Sequence, residues 1–97
     1  MKLTGKTALI TGGASGIGAE IVRLFAKEGA DIAINYHSRA SQAELLAEEC
    51  RKDGGRIITV KADVSEPEPV QAMVEEVLKA FGKVDILVNC QAFNLVE

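Results

Sequence analysis

Thr11-Gly12-Gly13-Ala14-Ser15-Gly16-Ile17-Gly18 is the stretch on which the fold turns. It follows a short apolar run, Thr7-Ala8-Leu9-Ile10, and opens onto a run in which Ile17, Ile21, Leu24 and Phe25 recur at helical spacing. That order is strand, glycine-rich turn, helix. A turn of this kind gathers free backbone N–H groups and the positive end of a helix dipole at one spot, and a phosphate is the natural ligand there. Gly12 suits a tight turn, Gly16 lets a pyrophosphate approach the backbone, and Gly18 lets the helix pack closely on the strand. The glycines alone also fit an ordinary strand-to-helix turn. A second strand, Asp31-Ile32-Ala33-Ile34-Asn35-Tyr36, lies at the distance a nucleotide-binding unit requires and favours the phosphate reading.

Outward from this turn the pattern repeats. Residues 6–11 read as a buried parallel strand, and the first helix spans Gly16 to Glu28 with Gly29 placed to end it. Ser41-Gln42-Ala43-Glu44 has the form of a capping box, and its helix runs through Leu45, Leu46 and Cys50 to Gly54-Gly55. A third strand covers Arg56 to Lys61. Ser65-Glu66-Pro67-Glu68 has the form of a second capping box. Val70, Met73, Val74, Val77, Leu78 and Phe81 then form one apolar stripe, best read as core, and Gly82 closes that helix. A fourth strand covers Val84 to Asn89. This βαβαβαβ alternation predicts an α/β three-layer sandwich, a half Rossmann fold, with right-handed crossovers and a parallel sheet in the order 3-2-1-4. The switch point then falls at the carboxyl end of the first strand, where open sheets of this class bind ligands.

Composition narrows the function. The 97 residues, read as a single domain over 1–97, are 47% hydrophobic and 26% charged, the balance of a soluble globular chain. A net charge of −3 with scattered basic residues excludes an electrostatic footprint for nucleic acid. No apolar run reaches the roughly 20 residues that span a bilayer, and the N-terminus lacks a signal-peptide core. Cytoplasmic residence is the expectation, with no membrane partner. Cys50, Cys90 and the single histidine, His37, lack metal-ligand spacing, so no metal is expected and both cysteines read as small core residues.

With these residues in hand, the chain resembles the N-terminal cofactor-binding half of a short-chain dehydrogenase/reductase. Thr11-Gly12-x-x-x-Gly16-x-Gly18 is similar to that family's cofactor turn, Asp63-Val64 to the pair beside the adenine ring, and Asn89 to the start of its Asn-Asn-Ala-Gly motif. The stretch Asn35-Tyr36-His37-Ser38-Arg39 is similar to that of 3-oxoacyl-(acyl carrier protein) reductases and glucose dehydrogenases. The resemblance implies NAD(P)-dependent hydride transfer between an alcohol and a ketone. It implies a cofactor site of Gly12, Ala14, Ser15, Gly16, Ile17, Gly18, Tyr36, Ser38, Arg39, Asp63, Val64 and Asn89. An NAD site places an acid near the second-strand tip to bond the ribose 2′-OH. Here that tip has no carboxylate, whereas Ser38 and Arg39 suit a 2′-phosphate, so NADP is preferred and NAD stays open. Ser15 points the other way, because NADP-preferring relatives often carry arginine there. Asp63 and Arg39 also admit plainer readings, a turn residue and a solvated surface charge.

Two departures from the family pattern matter. The fourth-strand motif reads Asn89-Cys90-Gln91-Ala92, and the tail Phe93 to Glu97 matches no pattern. The family's acid is a tyrosine whose pKa of about 10 is lowered by a lysine four residues on. The only tyrosine here is Tyr36, with Ala40 four residues on, so no catalytic residue is assigned and a truncated half, inactive alone, is expected. The fourth strand's edge would be open, and two copies are expected to associate through it. The altered motif and that edge leave a second reading, a non-catalytic, self-associating module that binds no nucleotide.

Overall fold

Strand, helix and strand alternate without exception in the computed structural model, which describes residues 1–90. The elements are β1 (Thr7–Thr11), α1 (Gly16–Lys27), β2 (Asp31–Tyr36), α2 (Ala40–Arg51), β3 (Ile57–Lys61), α3 (Pro67–Phe81) and β4 (Ile86–Asn89). The strands form one parallel sheet in the order β3-β2-β1-β4, as the alternation predicts. β1 sits between β2 and β4 and is buried along its whole length. A strand covered on both faces needs apolar residues throughout rather than alternation, and Ala8, Leu9 and Ile10 supply them.

Side-chain alternation divides the core into two layers. Ala8, Ile10, Ile32, Ile34 and Ile57 face α1 and α2, which contribute Ala19, Val22, Ala26, Leu46 and Cys50. Leu9, Ala33 and Val60 face α3, which contributes Met73 and Val77. Burial pushes the Cys50 thiol up, as suits a packing residue. Cys90 is half-buried against the same layer. Among the described residues no helix is long and apolar enough to cross a membrane, and no cluster of three or more potential ligands could hold a metal ion.

The structure corrects both capping boxes. α2 starts at Ala40 with Arg39 as its N-cap, so Ser41 lies inside the first turn, and Glu44 accepts a hydrogen bond from the Thr59 hydroxyl. α3 starts at Pro67 with Glu66 as its N-cap, and neither helix has a side-chain cap. Ser65 turns back instead and donates its hydroxyl to Asp63 Oδ1 at 2.6 Å. A short polar side chain next to an aspartate has a local partner that competes with the helix end. The α3 stripe is also buried less completely than its spacing predicts. Met73 and Val77 are buried, but Leu78 is 44% exposed. The sheet beneath α3 stops at β4, which is shorter than its sequence pattern, starting at Ile86 rather than Val84. Phe81 is half-buried and carries the Arg56 guanidinium over its ring at 4.9 Å.

Two aspartates tie the amino ends of the strands together. Asp31 accepts the Arg56 backbone N–H at 2.8 Å and the guanidinium at 2.7 and 3.1 Å, joining β2 to β3. Asp85 accepts the Thr7 N–H at 2.8 Å and pairs with Lys83 at 3.1 Å, joining β1 to β4. Partial burial opposes ionisation of Asp31, but the bonds from Arg56 outweigh it and hold the carboxyl below its usual range. The contribution of a depressed carboxyl is present above its unfolded pKa of about 3.9 and is lost as pH falls through that value towards the folded one. Thermal unfolding followed by circular dichroism should therefore show the midpoint falling as pH drops below about 5. Asp31→Asn should lower the midpoint at neutral pH and make the acid limb shallower; an unchanged acid limb would remove Asp31 from the account.

Candidate functional site

The glycine turn lies at the carboxyl end of β1 and forms the start of α1. Gly12 and Gly16 adopt left-handed φ values of 63° and 59°. Gly18 is required for a different reason: a Cβ there would stand 2.2 Å from the Gly12 carbonyl oxygen and 2.9 Å from Gly13 Cα. The first turn of α1 is thus pressed against the strand that feeds it. Ser15 is the N-cap but makes no side-chain capping bond, and no acidic residue sits in the first turn. The earliest amides of a helix have no partner within it; here Gly16 and Ile17 are exposed and Gly18 is buried. Ile17 is 77% exposed. This donor set, next to backbone that no side chain fills, fits a diphosphate.

A cleft of about 140 Å³ adjoins the turn, lined by Gly12, Ala14, Ser15, Tyr36, Ser38 and Arg39 together with Asn35 and His37. Six expected site residues therefore meet in one place, although they come from two separate segments. Ser38 and Arg39 are exposed at its rim, and the Arg39 guanidinium donates to Gln42 Oε1 at 3.3 Å. Tyr36 is half-buried at the end of β2. Gly16 and Ile17 do not line this cleft but a larger one of about 760 Å³ between α1 and α2, which Ala14 and Ser15 share, and Gly18 lines neither.

The remaining three residues lie elsewhere. Asp63 follows β3, and its Oδ1 accepts both the Ser65 amide, at 3.0 Å, and the Ser65 hydroxyl. Those bonds, with a smaller pull from His37, hold its carboxyl below the usual range. Oδ2 is 3.8 Å from His37 Nε2, which brings the loop after β3 to the edge of the cleft. Val64 and Asn89 line a separate apolar groove of about 230 Å³ on the α3 side, with Leu9, Thr11, Val70, Met73, Val74 and Leu87. Asn89 Oδ1 accepts the Thr11 hydroxyl at 2.7 Å, so the end of β4 is tied to the start of the turn. The rest of the altered motif, Gln91-Ala92, and the tail to Glu97 lie outside the described residues.

Asn35 and His37 are the residues that the sequence reading left out of the site. For Asn35 the signal was present: an amide inside an otherwise apolar, buried strand must find hydrogen-bond partners. His37 stands next to Tyr36 and carries no comparable signal, because its relation to Asp63 depends on how β2 and β3 are aligned.

A family model for short chain dehydrogenases matches residues 6–95. Glucose 1-dehydrogenase 2 of Bacillus subtilis (strain 168) is 44% identical over 95 residues, which are 98% of this chain and 37% of that protein. The short-chain dehydrogenase/reductase homolog YusS of the same organism is 43% identical over 89 residues, 92% of this chain and 82% of that one. Among solved structures, a short chain dehydrogenase from Burkholderia cenocepacia J2315 in complex with NADP superposes with a TM-score of 0.88 at 41% identity, covering 98% of this chain and 40% of that one. The chain thus spans little more than a third of the glucose dehydrogenase's length.

The geometry of the turn separates two kinds of glycine. Gly16→Ala has open space around its Cβ and should cost about 1 kcal/mol, from backbone strain alone. Gly18→Ala drives a methyl group into backbone and should cost about 2 kcal/mol or more. Urea unfolding of the two variants checks the order; equal losses would mean that α1 does not press on the turn.

Proposed function

Because this chain belongs to the short-chain dehydrogenase/reductase family, we propose that residues 1–97 form one dinucleotide-binding unit of an NADP(H)-dependent oxidoreductase. The reaction class is hydride transfer between an alcohol and a ketone, and the nicotinamide ring supplies the hydride donor or acceptor when bound. The observation that carries this reading is the uncapped start of α1, pressed against glycine backbone and bordered by a cleft with a cation at its rim. The amides of Gly16, Ile17 and Gly18 and the Ser15 hydroxyl would hold the diphosphate, with Gly12 and Ala14 forming the floor. Ser38 and Arg39 would hold a ribose 2′-phosphate beside Tyr36. Asp63 and Val64 would flank the adenine, and Asn89 would brace the turn through Thr11. The Burkholderia relative solved with NADP supports the choice of cofactor.

This chain's own residues bind and orient; none is assigned to proton transfer. Tyr36 ends β2 at the cleft, and Ala40 rather than a lysine lies four residues on. NADPH fluorescence should rise on titration with the protein, with tighter binding than for NADH. Arg39→Ala should weaken NADPH binding about tenfold and leave NADH unchanged, as loss of a charge-assisted bond requires. Equal affinities for the two cofactors in the parent chain would overturn the assignment of NADP.

The fourth strand favours a further element of this reading, association of two copies through β4. β4 pairs with β1 on one side, and no strand pairs with its other side among the described residues. Leu87 is 66% exposed on that strand. An apolar edge of this kind is a template for another strand. YusS, of which this chain covers 82%, supports a unit of this size, and a non-catalytic self-associating module is the alternative to the oxidoreductase reading. Sedimentation equilibrium should give a dimer at tens of micromolar, and Leu87→Lys should give a folded monomer. A parent chain that sediments as a monomer would dismiss association through β4.

A further inference from the structure

We propose that Asn35 is a positioning residue that holds the glycine turn and the loop after β3 at a fixed separation, so that the diphosphate and the adenine of a bound dinucleotide are gripped as one. The inference rests on the dinucleotide reading above and adds a residue to it. Asn35 is 1% exposed, near the end of a strand that is otherwise apolar inside. Its amide is used in both directions. Oδ1 accepts the Gly12 N–H at 3.1 Å, and Nδ2 donates to the Val60 carbonyl at 3.4 Å and the Ala62 carbonyl at 3.2 Å. Its own backbone carbonyl accepts the Gly13 N–H at 3.0 Å.

Three segments converge on this one side chain. Gly12 opens the turn that offers amides to a diphosphate. Ala62 immediately precedes Asp63 and Val64. Asn35 itself stands just before Tyr36, Ser38 and Arg39 in the wall of the cleft. Because β1 and β3 do not touch, backbone bonds tie each segment to β2 separately, the Gly13 N–H to the Asn35 carbonyl and the Ala62 N–H to the Tyr36 carbonyl, whereas the Asn35 amide bonds both segments at once. The side chain reaches sideways from β2 to both neighbours, beyond the last paired residues of β1 with β2, Ile10 and Ile34.

The chemistry requires an amide. An aspartate could accept from Gly12 but would set a carboxylate against two carbonyl oxygens, and an alanine would leave the Gly12 donor and both carbonyls without this partner. No other uncharged side chain of this length both donates twice and accepts. A ligand that touches only one segment is indifferent to their separation. A ligand that spans both is not, since linked groups gain affinity only while their sites stay at the matching distance.

The test compares two ligands on three proteins: parent, Asn35→Ala and Asn35→Asp. NADPH carries both the adenine assigned to Asp63 and Val64 and the diphosphate assigned to the turn, whereas adenosine 2′-monophosphate carries the adenine and the 2′-phosphate and no group for the turn. By calorimetry, Asn35→Ala should weaken NADPH about tenfold or more and the monophosphate less than about threefold, with Asn35→Asp worse than Asn35→Ala. A merely structural role would weaken both ligands in proportion to the folded fraction, and equal losses would overturn the proposal. So would a folded variant that keeps the parent's affinity for NADPH. Amide hydrogen exchange needs no ligand: the Gly12 N–H should exchange about tenfold faster in Asn35→Ala while Val22 and Ile32 amides stay protected. Should the parent bind neither nucleotide, the dinucleotide reading fails; the exchange result still decides whether Asn35 holds the turn, and unchanged Gly12 exchange would overturn that tie.

Discussion

One close approach of backbone to backbone governs everything built on it. Gly18 lies so near the Gly12 carbonyl that no Cβ fits between them. That proximity brings the first turn of α1 down onto the end of β1, and the amides of that turn are therefore collected at the carboxyl edge of the sheet. A helix that began one side chain's width further out would keep its dipole, but its donors would no longer border the cleft made by the end of β2. Packing and binding capacity are here the same fact, since the missing methyl group that allows the first also shapes the second.

Much of this was legible from the chain. Each strand and helix shows its own period, and the glycines mark both the turn and the helix ends, so order, type and topology follow from local rules. The glycine turn was legible because backbone conformation and close approach restrict which residues can occupy it. The capping boxes misled because a serine and a glutamate three residues apart state only that a bond is possible. Ser65 had an aspartate two residues before it, and Glu44 had a threonine on the neighbouring strand. Those competing partners are tertiary or depend on turn geometry, and spacing does not contain them. The α3 stripe shows the same limit. Its apolar width was correct, but how much of it is covered depends on where the sheet ends.

The sheet has a finished side and an unfinished one. At the β3–β2–β1 side, the tips are joined to one another by backbone bonds, by the Asn35 amide and by the approach of Asp63 to His37. At the β4 side, Thr11 donates its hydroxyl to Asn89 Oδ1 and accepts the Cys90 N–H, and Leu87 and Leu78 remain open to water. The amino ends are braced on both sides by Asp31 and Asp85, so the asymmetry belongs to the binding end rather than to the sheet as a whole.

This asymmetry bears on what the chain can do by itself. The residues suited to phosphate and to the ribose phosphate all lie on the finished side, where their separation is set by interactions present within the described residues. The groove lined by Val64, Leu87 and Asn89 lies across the switch point, between α3 and an edge strand paired on one side. On the reading proposed above, affinity for the charged part of a dinucleotide therefore depends on structure already in place. On that same reading, binding draws on the amides at the start of α1 and on Arg39, groups that follow the tips of β1 and β2 and are brought together by the pairing of those two strands.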